Sequence, residues 1–328
     1  MEINPTIFIG GQYPNSPLRH MSENQETMRD FLTKKGYRVI DSPIDADIFL
    51  SIDHRNCELK VLSERALNNK FNILFRSEPE CIIPSAYKEE SLVVYGKILT
   101  FGKPRTTPYC EYWPQFWNSP IQFKSDRKEK MALINANKLN FHKTEMYSLR
   151  RKAASSLQDV ELFGLNWNIS FISKVKIFLI ELRKQPKSSL FAFIFHIDKW
   201  FHVWPEIESP SDKIKVFQKY KFALVIENSK TYMSEKLFDA LISGCIPIYV
   251  GPDVRDFEVP SELVIQSAAS VSGIQIAFER AKLMDYLQHQ SNLQEWLENP
   301  ETILRYAGEH VLTRAIEELK VGFQEFNL

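Results

Sequence analysis

The 328-residue sequence has little of what staples or punctuates a small fold: four cysteines and eleven glycines. Cys57, Cys81, Cys110 and Cys245 are widely scattered, with no CxxC pair and no Cys/His ligand spacing. Neither a structural zinc site nor a disulfide framework is therefore expected. A reducing compartment suits such cysteines, which pack as small hydrophobes. An excess of charge is missing too: 41 Lys+Arg face 41 Asp+Glu, leaving no global field for nucleic acid or an anionic membrane. The seven histidines show no HxxxH or HExxH spacing, and no GxGxxG or GxxxxGKS/T run occurs. Zinc-protease, dinucleotide and P-loop chemistry are unsupported. The opening MEINPTIFIGGQYP lacks a basic segment before a long apolar core, so neither a signal peptide nor an anchor of about 20 residues is expected there. The expectation is a cytoplasmic protein.

What is present reads as a layered α/β protein. Hydrophobic residues make up 44% and charged residues 25%, ordinary for a globular chain, and the length exceeds what one core usually fills, so two domains are expected. In the first half, apolar runs at 6–9, 37–40, Ile48–Ile52 and 73–75 read as strands. Ser22 with Gln25 resembles a capping box before a helix through Met28, Phe31 and Leu32, and a second helix reads at 58–67. Short buried runs separated by helices indicate a parallel sheet covered on both faces. A second series follows: strands at 131–135, Val160–Phe163, 222–226 and Ile246–Val250, with helices at 145–157 and 234–243. The charged stretch 127–130 is the expected domain boundary. This gives domains 1–128 and 129–304, with a helical tail at 305–328. The segment 169–204 fits neither half. Phe171, Ile172, Val175, Phe178, Leu179 and Leu182 have helical spacing, Pro186 ends that helix, and a second apolar run starts at Leu190. Two readings stand: a helical hairpin packed on the core, or a basic amphipathic surface for a membrane or lipid-linked acceptor.

The stretch 220–252, YKFALVIENSKTYMSEKLFDALISGCIPIYVGP, carries the densest chemistry. Its first strand delivers Glu227, Asn228 and Ser229 to a carboxyl edge, where open α/β sheets hold ligands. After a loop with Tyr232, Ser234 is a good N-cap for a helix whose first turn holds Glu235 and Lys236. A helix start with a lysine suits a pyrophosphate, and a carboxylate beside it can accept hydrogen bonds from sugar hydroxyls.

These letters resemble the signature of glycosyltransferase family ten, the α1,3/α1,4-fucosyltransferases, in their bacterial form. That pattern runs YKF, FEN, Y-(I/V)-T-E-K-(L/I), then A-G-x-(V/I)-P. It stands here as Tyr220-Lys221-Phe222, Ile226-Glu227-Asn228-Ser229, Tyr232-Met233-Ser234-Glu235-Lys236-Leu237 and Ser243-Gly244-Cys245-Ile246-Pro247. Ser234 replaces the threonine and the spacer before Tyr232 is slightly short. Upstream, SLRRKAASSLQDVELFG is similar to the family's Arg-x6-Leu helix, which puts the diphosphate-clamping arginine at Arg150, with Arg151 as neighbour. NILFRSEPECIIP looks like the segment whose glutamate is the general base, and the match falls on Glu78, with Glu80 nearby.

The resemblance implies a GT-B fold, two Rossmann-like domains facing across a cleft, with an insertion at 169–205 and a helical tail packing back on the first domain. It implies an inverting transfer of fucose from GDP-fucose to a hydroxyl of an acceptor glycan. Glu78 would be the base, and Arg150, Glu227, Asn228, Tyr232, Ser234, Glu235 and Lys236 would hold the donor. No metal or other cofactor is expected, because the cations serve the leaving group. The alternatives are another nucleotide-linked sugar on the same fold, or an inactive glycan-binding homologue. The expected partners are the GDP-sugar and the acceptor, with peripheral membrane contact through 169–204 and no nucleic acid. Asp45-Ala46-Asp47 has DxD letters but precedes a strand, so it reads as a turn. Trp113, Phe116 and Trp117 read as packing or as a sugar-stacking surface, and His196 and His202 as packing.

Overall fold

The computed structural model describes residues 5–12, 27–100, 110–112, 126–183 and 199–326. Ser22, Gln25, Trp113, Phe116, Trp117, Pro186, Leu190 and His196 lie outside the described residues, as does the side chain of Cys110. The chain forms two compact units, Met1–Ser119 with Pro300–Leu328, and Pro120–Asn299. Arg127, at the expected domain boundary, is buried in the second unit, donating to the carbonyls of Tyr220 at 3.0 Å and Ser243 at 2.6 Å.

The first unit holds β1 (Thr6–Gly11), β2 (Arg38–Val39), β3 (Ile48–Ile52), β4 (Phe71–Arg76), β5 (Lys97–Thr100) and β6 (Cys110–Tyr112). They form one parallel sheet in the order β2-β1-β3-β4-β5-β6. Every residue of β3 and β4 is buried, as a sheet covered on both faces demands. The DxD letters are structural: Asp47 accepts from the Thr6 amide (2.7 Å) and hydroxyl (2.6 Å), and Asp45 from the Ser42 hydroxyl. Arg65, on the Leu59–Leu67 helix, is buried and shares its donors among Asn72 and the carbonyls of Ala46, Asp47 and Phe71. Buried charge is tolerable only with such full pairing. The Gly308–Phe326 helix packs on this sheet, with Phe323 against Phe71 and Glu318 paired to Lys97.

The second unit holds β7 (Lys128–Ile134), β8 (Val160–Phe163), β9 (Tyr220–Ile226), β10 (Ile246–Val250) and β11 (Ile265–Gln266), parallel in the order β11-β10-β9-β7-β8. Alternate residues of β7, β9 and β10 (Met131, Leu133, Phe222, Leu224, Ile226, Ile246, Ile248, Val250) share one core with the Tyr147–Ser156 and Val271–Lys282 helices. Gly164 closes β8 at φ +129°, where a Cβ would lie 2.2 Å from the Asn135 carbonyl oxygen. Only glycine fits that approach. The Phe171–Arg183 helix packs through Phe178 on Leu139, Phe141 and Trp200, and leaves Phe171, Ile172, Leu179 and Ile180 exposed. No described helix is long and apolar enough to cross a membrane.

Candidate active site

In the second unit the chemistry gathers at the carboxyl end of β9. Apolar Phe222–Ile226 runs straight into Glu227, whose carboxylate is wholly buried. It accepts from the Ser234 amide at 3.0 Å, the Ser234 hydroxyl at 2.6 Å and the Tyr249 hydroxyl at 3.3 Å. Burial raises its pKa, while Lys236 and the Ser234 bonds act the other way. Ser234 is 2% exposed. Through these bonds Glu227 and Ser234 shape the loop from inside the unit. Ser234 was expected as the N-cap, but the helix is Lys236–Ile242 and Glu235 stands at its start without a side-chain cap. The Ser234 hydroxyl donates to Glu227, while its oxygen faces the Lys236 amide at 3.4 Å.

The loop so anchored carries Glu235 and Lys236. Lys236 Nζ lies 3.0 Å from Ser234 Oγ and 3.7 Å from a Glu235 oxygen. Lys213, which no motif singled out, joins them from the Lys213–Phe217 helix, 3.3 Å from Glu235 and 3.5 Å from Asp239. Burial disfavours its charge, yet the two carboxylates hold its pKa above the ordinary lysine value. The legible signal was Asp212, whose side chain caps that helix. Tyr232 is buried, paired in a bridge with Ser229.

Arg150 reaches the same edge. Its guanidinium donates to the Ile226 carbonyl (2.6 Å) and to Asn228 Oδ1 (2.9 Å), and lies over the Tyr147 ring. Arg151 points elsewhere, to the Lys138 carbonyl at 2.6 Å and toward Trp200. Arg150 thus meets Asn228 at the end of β9, where Ser234 ties the loop bearing Glu235 and Lys236 to Glu227, and Arg151 is left out. A cation pair with a carboxylate among them can hold a diphosphate and a hydroxylated ring.

In the first unit Glu78 lies two residues past the end of β4 and is half-buried. Its carbonyl accepts from Tyr87 Oη at 3.0 Å. Its amide faces Asp53 Oδ1 at 3.3 Å, and the Ser77 amide bonds the same oxygen at 2.8 Å. Asp53 Oδ2 takes the Ser77 hydroxyl. Asp53 is fully buried at the end of β3, in a left-handed backbone at φ 55°. Burial pushes its pKa up to about 6, against the bonds from Ser77 and Glu78 and the Arg76 charge. Next to it, His54 Nδ1 lies 2.7 Å from Tyr95 Oη, and burial lowers the histidine's pKa. The missed signal was an Asp-His pair placed directly after the apolar run Ile48–Ile52.

A model of the C-terminal domain of glycosyltransferase family 10 (fucosyltransferase) matches residues 168–298. A fucosyltransferase-like protein of Arabidopsis thaliana is 30% identical over 110 residues, 32% of this chain and 20% of that protein. An α-(1,4)-fucosyltransferase of the same plant is 50% identical over 48 residues, 14% of this chain and 12% of that one. The chain thus spans a fifth or less of the curated relatives it matches. A crystal structure of an α1,3-fucosyltransferase with GDP aligns over 98% of this chain and 90% of that one at TM-score 0.53 and 12% identity, which is a likeness of fold.

Proposed function

We propose that this chain, whose residues 168–298 match the C-terminal domain of glycosyltransferase family 10, moves fucose from GDP-fucose to a hydroxyl group of an acceptor glycan, inverting the anomeric carbon. The observation that supports this reading is the pairing of Arg150 with Asn228 at the carboxyl end of β9, next to the Glu235–Lys236 loop that Ser234 ties to Glu227. In open parallel sheets that edge is where nucleotides are held. Arg150 and Lys236 would meet the diphosphate and Glu235 the sugar hydroxyls, while Glu227 and Ser234 hold the loop in place. In the transfer, the acceptor oxygen attacks the anomeric carbon and the bond from that carbon to the β-phosphate oxygen breaks. GDP leaves with the electron pair, and Glu78 takes the acceptor proton. The cations neutralise the developing phosphate charge, so turnover is expected to survive chelation of divalent metals.

Glu78→Ala should lower transfer about 1,000-fold, the scale of a lost general base, with GDP affinity unchanged in a titration. Normal turnover by this variant would remove Glu78 from the mechanism. A panel of nucleotide sugars, read as the rise in melting temperature that a bound donor produces, tests the donor. Stabilisation by GDP-fucose above other donors is expected. Preference for a different nucleotide sugar would move the chain to another donor on the same fold.

A further inference from the structure

We propose that Asp53 is a positioning residue for transfer, and that its buried carboxylate fixes the 77–78 turn from which Glu78 projects. The inference rests on the reading of Glu78 as the base, and the two can fail separately.

Three donors converge on this carboxylate: the Ser77 amide and the Glu78 amide on Oδ1, and the Ser77 hydroxyl on Oδ2. Through these bonds one side chain ties the whole 77–78 turn to the end of the neighbouring strand. Asp53 is itself held by backbone on both sides. Its amide donates to the Phe75 carbonyl (2.9 Å) on β4, and its carbonyl accepts from the Gln12 amide (2.7 Å) past β1. The carboxylate therefore sits at the meeting of three strand ends, in a backbone conformation uncommon for residues other than glycine. An ordinary packing position would be filled more stably by an apolar residue, because a buried carboxylate carries a desolvation cost. A buried charge with its bonds directed at one functional turn fits the need of catalysis for sub-ångström placement, where a 1 Å error costs about 100-fold.

The charge state matters as well as the shape. The ionised form accepts from all three donors, whereas a proton on Oδ2 reverses the bond to the Ser77 hydroxyl, which must then accept, and weakens Oδ1 as acceptor for the two amides. The groups around it are Arg76 on β4, Glu78 itself, and His54, kept toward its neutral form by burial. Glu58 nearby takes the Gly11 amide. With the Asp53 pKa pushed up to about 6, the anchor carries its full charge-assisted strength only above that pH. Its loss on acidification would cut turnover without touching donor affinity, since the donor-binding residues belong to the other unit.

The test uses the full chain with GDP-fucose and a fucose-accepting glycan, comparing wild type with Asp53→Asn, Ser77→Ala, Glu78→Ala and the Asp53→Asn/Glu78→Ala pair. Asp53→Asn should lower kcat about 10- to 100-fold with the donor KM and GDP affinity unchanged. It should also flatten the part of the acid limb of kcat that lies near pH 6. Ser77→Ala, a milder change that leaves both amide bonds, should lose a smaller factor in the same direction, and it serves if Asp53→Asn fails to fold. Added to Glu78→Ala, the Asp53 change should cost nothing further, because it acts only through Glu78. If Glu78→Ala abolishes transfer while Asp53→Asn and Ser77→Ala both keep wild-type kcat, positioning by Asp53 is overturned. It is overturned equally if Asp53→Asn lowers the residual rate of Glu78→Ala by its full factor. If Glu78→Ala itself turns over normally, the fault lies in the assignment of the base.

Discussion

The two units solve one problem twice. Each is a parallel sheet whose buried strand runs into a wholly buried acid, Asp53 after β3 and Glu227 after β9, and each acid accepts both the amide and the hydroxyl of a serine in the next functional turn. Beyond Ser77 comes Glu78, and beyond Ser234 come Glu235 and Lys236. They differ in surroundings. Glu227 has Lys236 close by and the Tyr249 hydroxyl as a third donor, in a turn rich in cations. Asp53 has the Glu78 amide as its third donor and sits in left-handed backbone. Under the proposed function, a buried acid in a cation-rich turn would place positive charge for a diphosphate, and the same device in the first unit would place a carboxylate. The shared device would supply rigidity, and the residues that follow each serine the chemistry.

The largest expected effect comes from titrating one anchor. The folded pKa of Asp53 lies above the ordinary aspartate value of 3.8, at about 6. The folded state therefore holds its proton to higher pH than the unfolded state. The stability this group contributes is present below about pH 4 and is lost as pH rises through about 6, a difference of about 3 kcal/mol. Melting curves of wild type and Asp53→Asn from pH 4 to pH 8 should diverge, the variant gaining several degrees relative to wild type at the alkaline end. Stability would then fall over the interval in which activity rises. Parallel pH slopes in the two proteins would mean that Asp53 does not titrate in this window, and the likeness to Glu227 would lose its electrostatic half.

A smaller effect separates the halves by kinetics. Glu227→Gln keeps the shape of the anchor and removes its charge, loosening the turn that presents Glu235 and Lys236. The donor KM should rise about tenfold, as a lost charge-assisted hydrogen bond warrants, with kcat nearly unchanged. A fall in kcat at constant donor KM would assign Glu227 to the chemical step and break the division of labour between the two anchors.

How far the sequence discloses these anchors follows from their physics. Ile48–Ile52 and Ile246–Val250 are legible to the residue, because a strand buried on both faces needs a near-continuous apolar run, and half-buried Val160–Phe163 at the sheet edge is marked by the Gly164 that closes it. β11, two residues long, and β6 left no such run. Arg150, Asn228, Glu235 and Lys236 are singled out by the family resemblance, and the structure pairs Arg150 with Asn228 and Glu235 with Lys236. The inward turn of Glu227 and Ser234 was not legible, because a capping serine and a serine bonded to a buried acid have the same letters. Asp53 escaped for a similar reason: its role lies in contacts with residues 77 and 78, far away in the chain, and no local pattern records them. Lys213 escaped because its partner is 22 residues downstream.

Lys213 also gives the finest test of the contrast, since it adds to the cations around Glu235 in the second unit's turn. It holds Glu235 at 3.3 Å and Asp239 at 3.5 Å with 39% of its side chain exposed. Exposure screens such a pair, so its worth is about 1 kcal/mol or less. Lys213→Ala should therefore raise the donor KM about two- to fivefold and leave kcat unchanged, with the shift shrinking as salt is added. Lys213→Arg should restore most of the affinity, because a guanidinium can span both carboxylates. A loss as large as that of Glu227→Gln would mean that Lys213 touches the donor itself and is a third cation at the diphosphate.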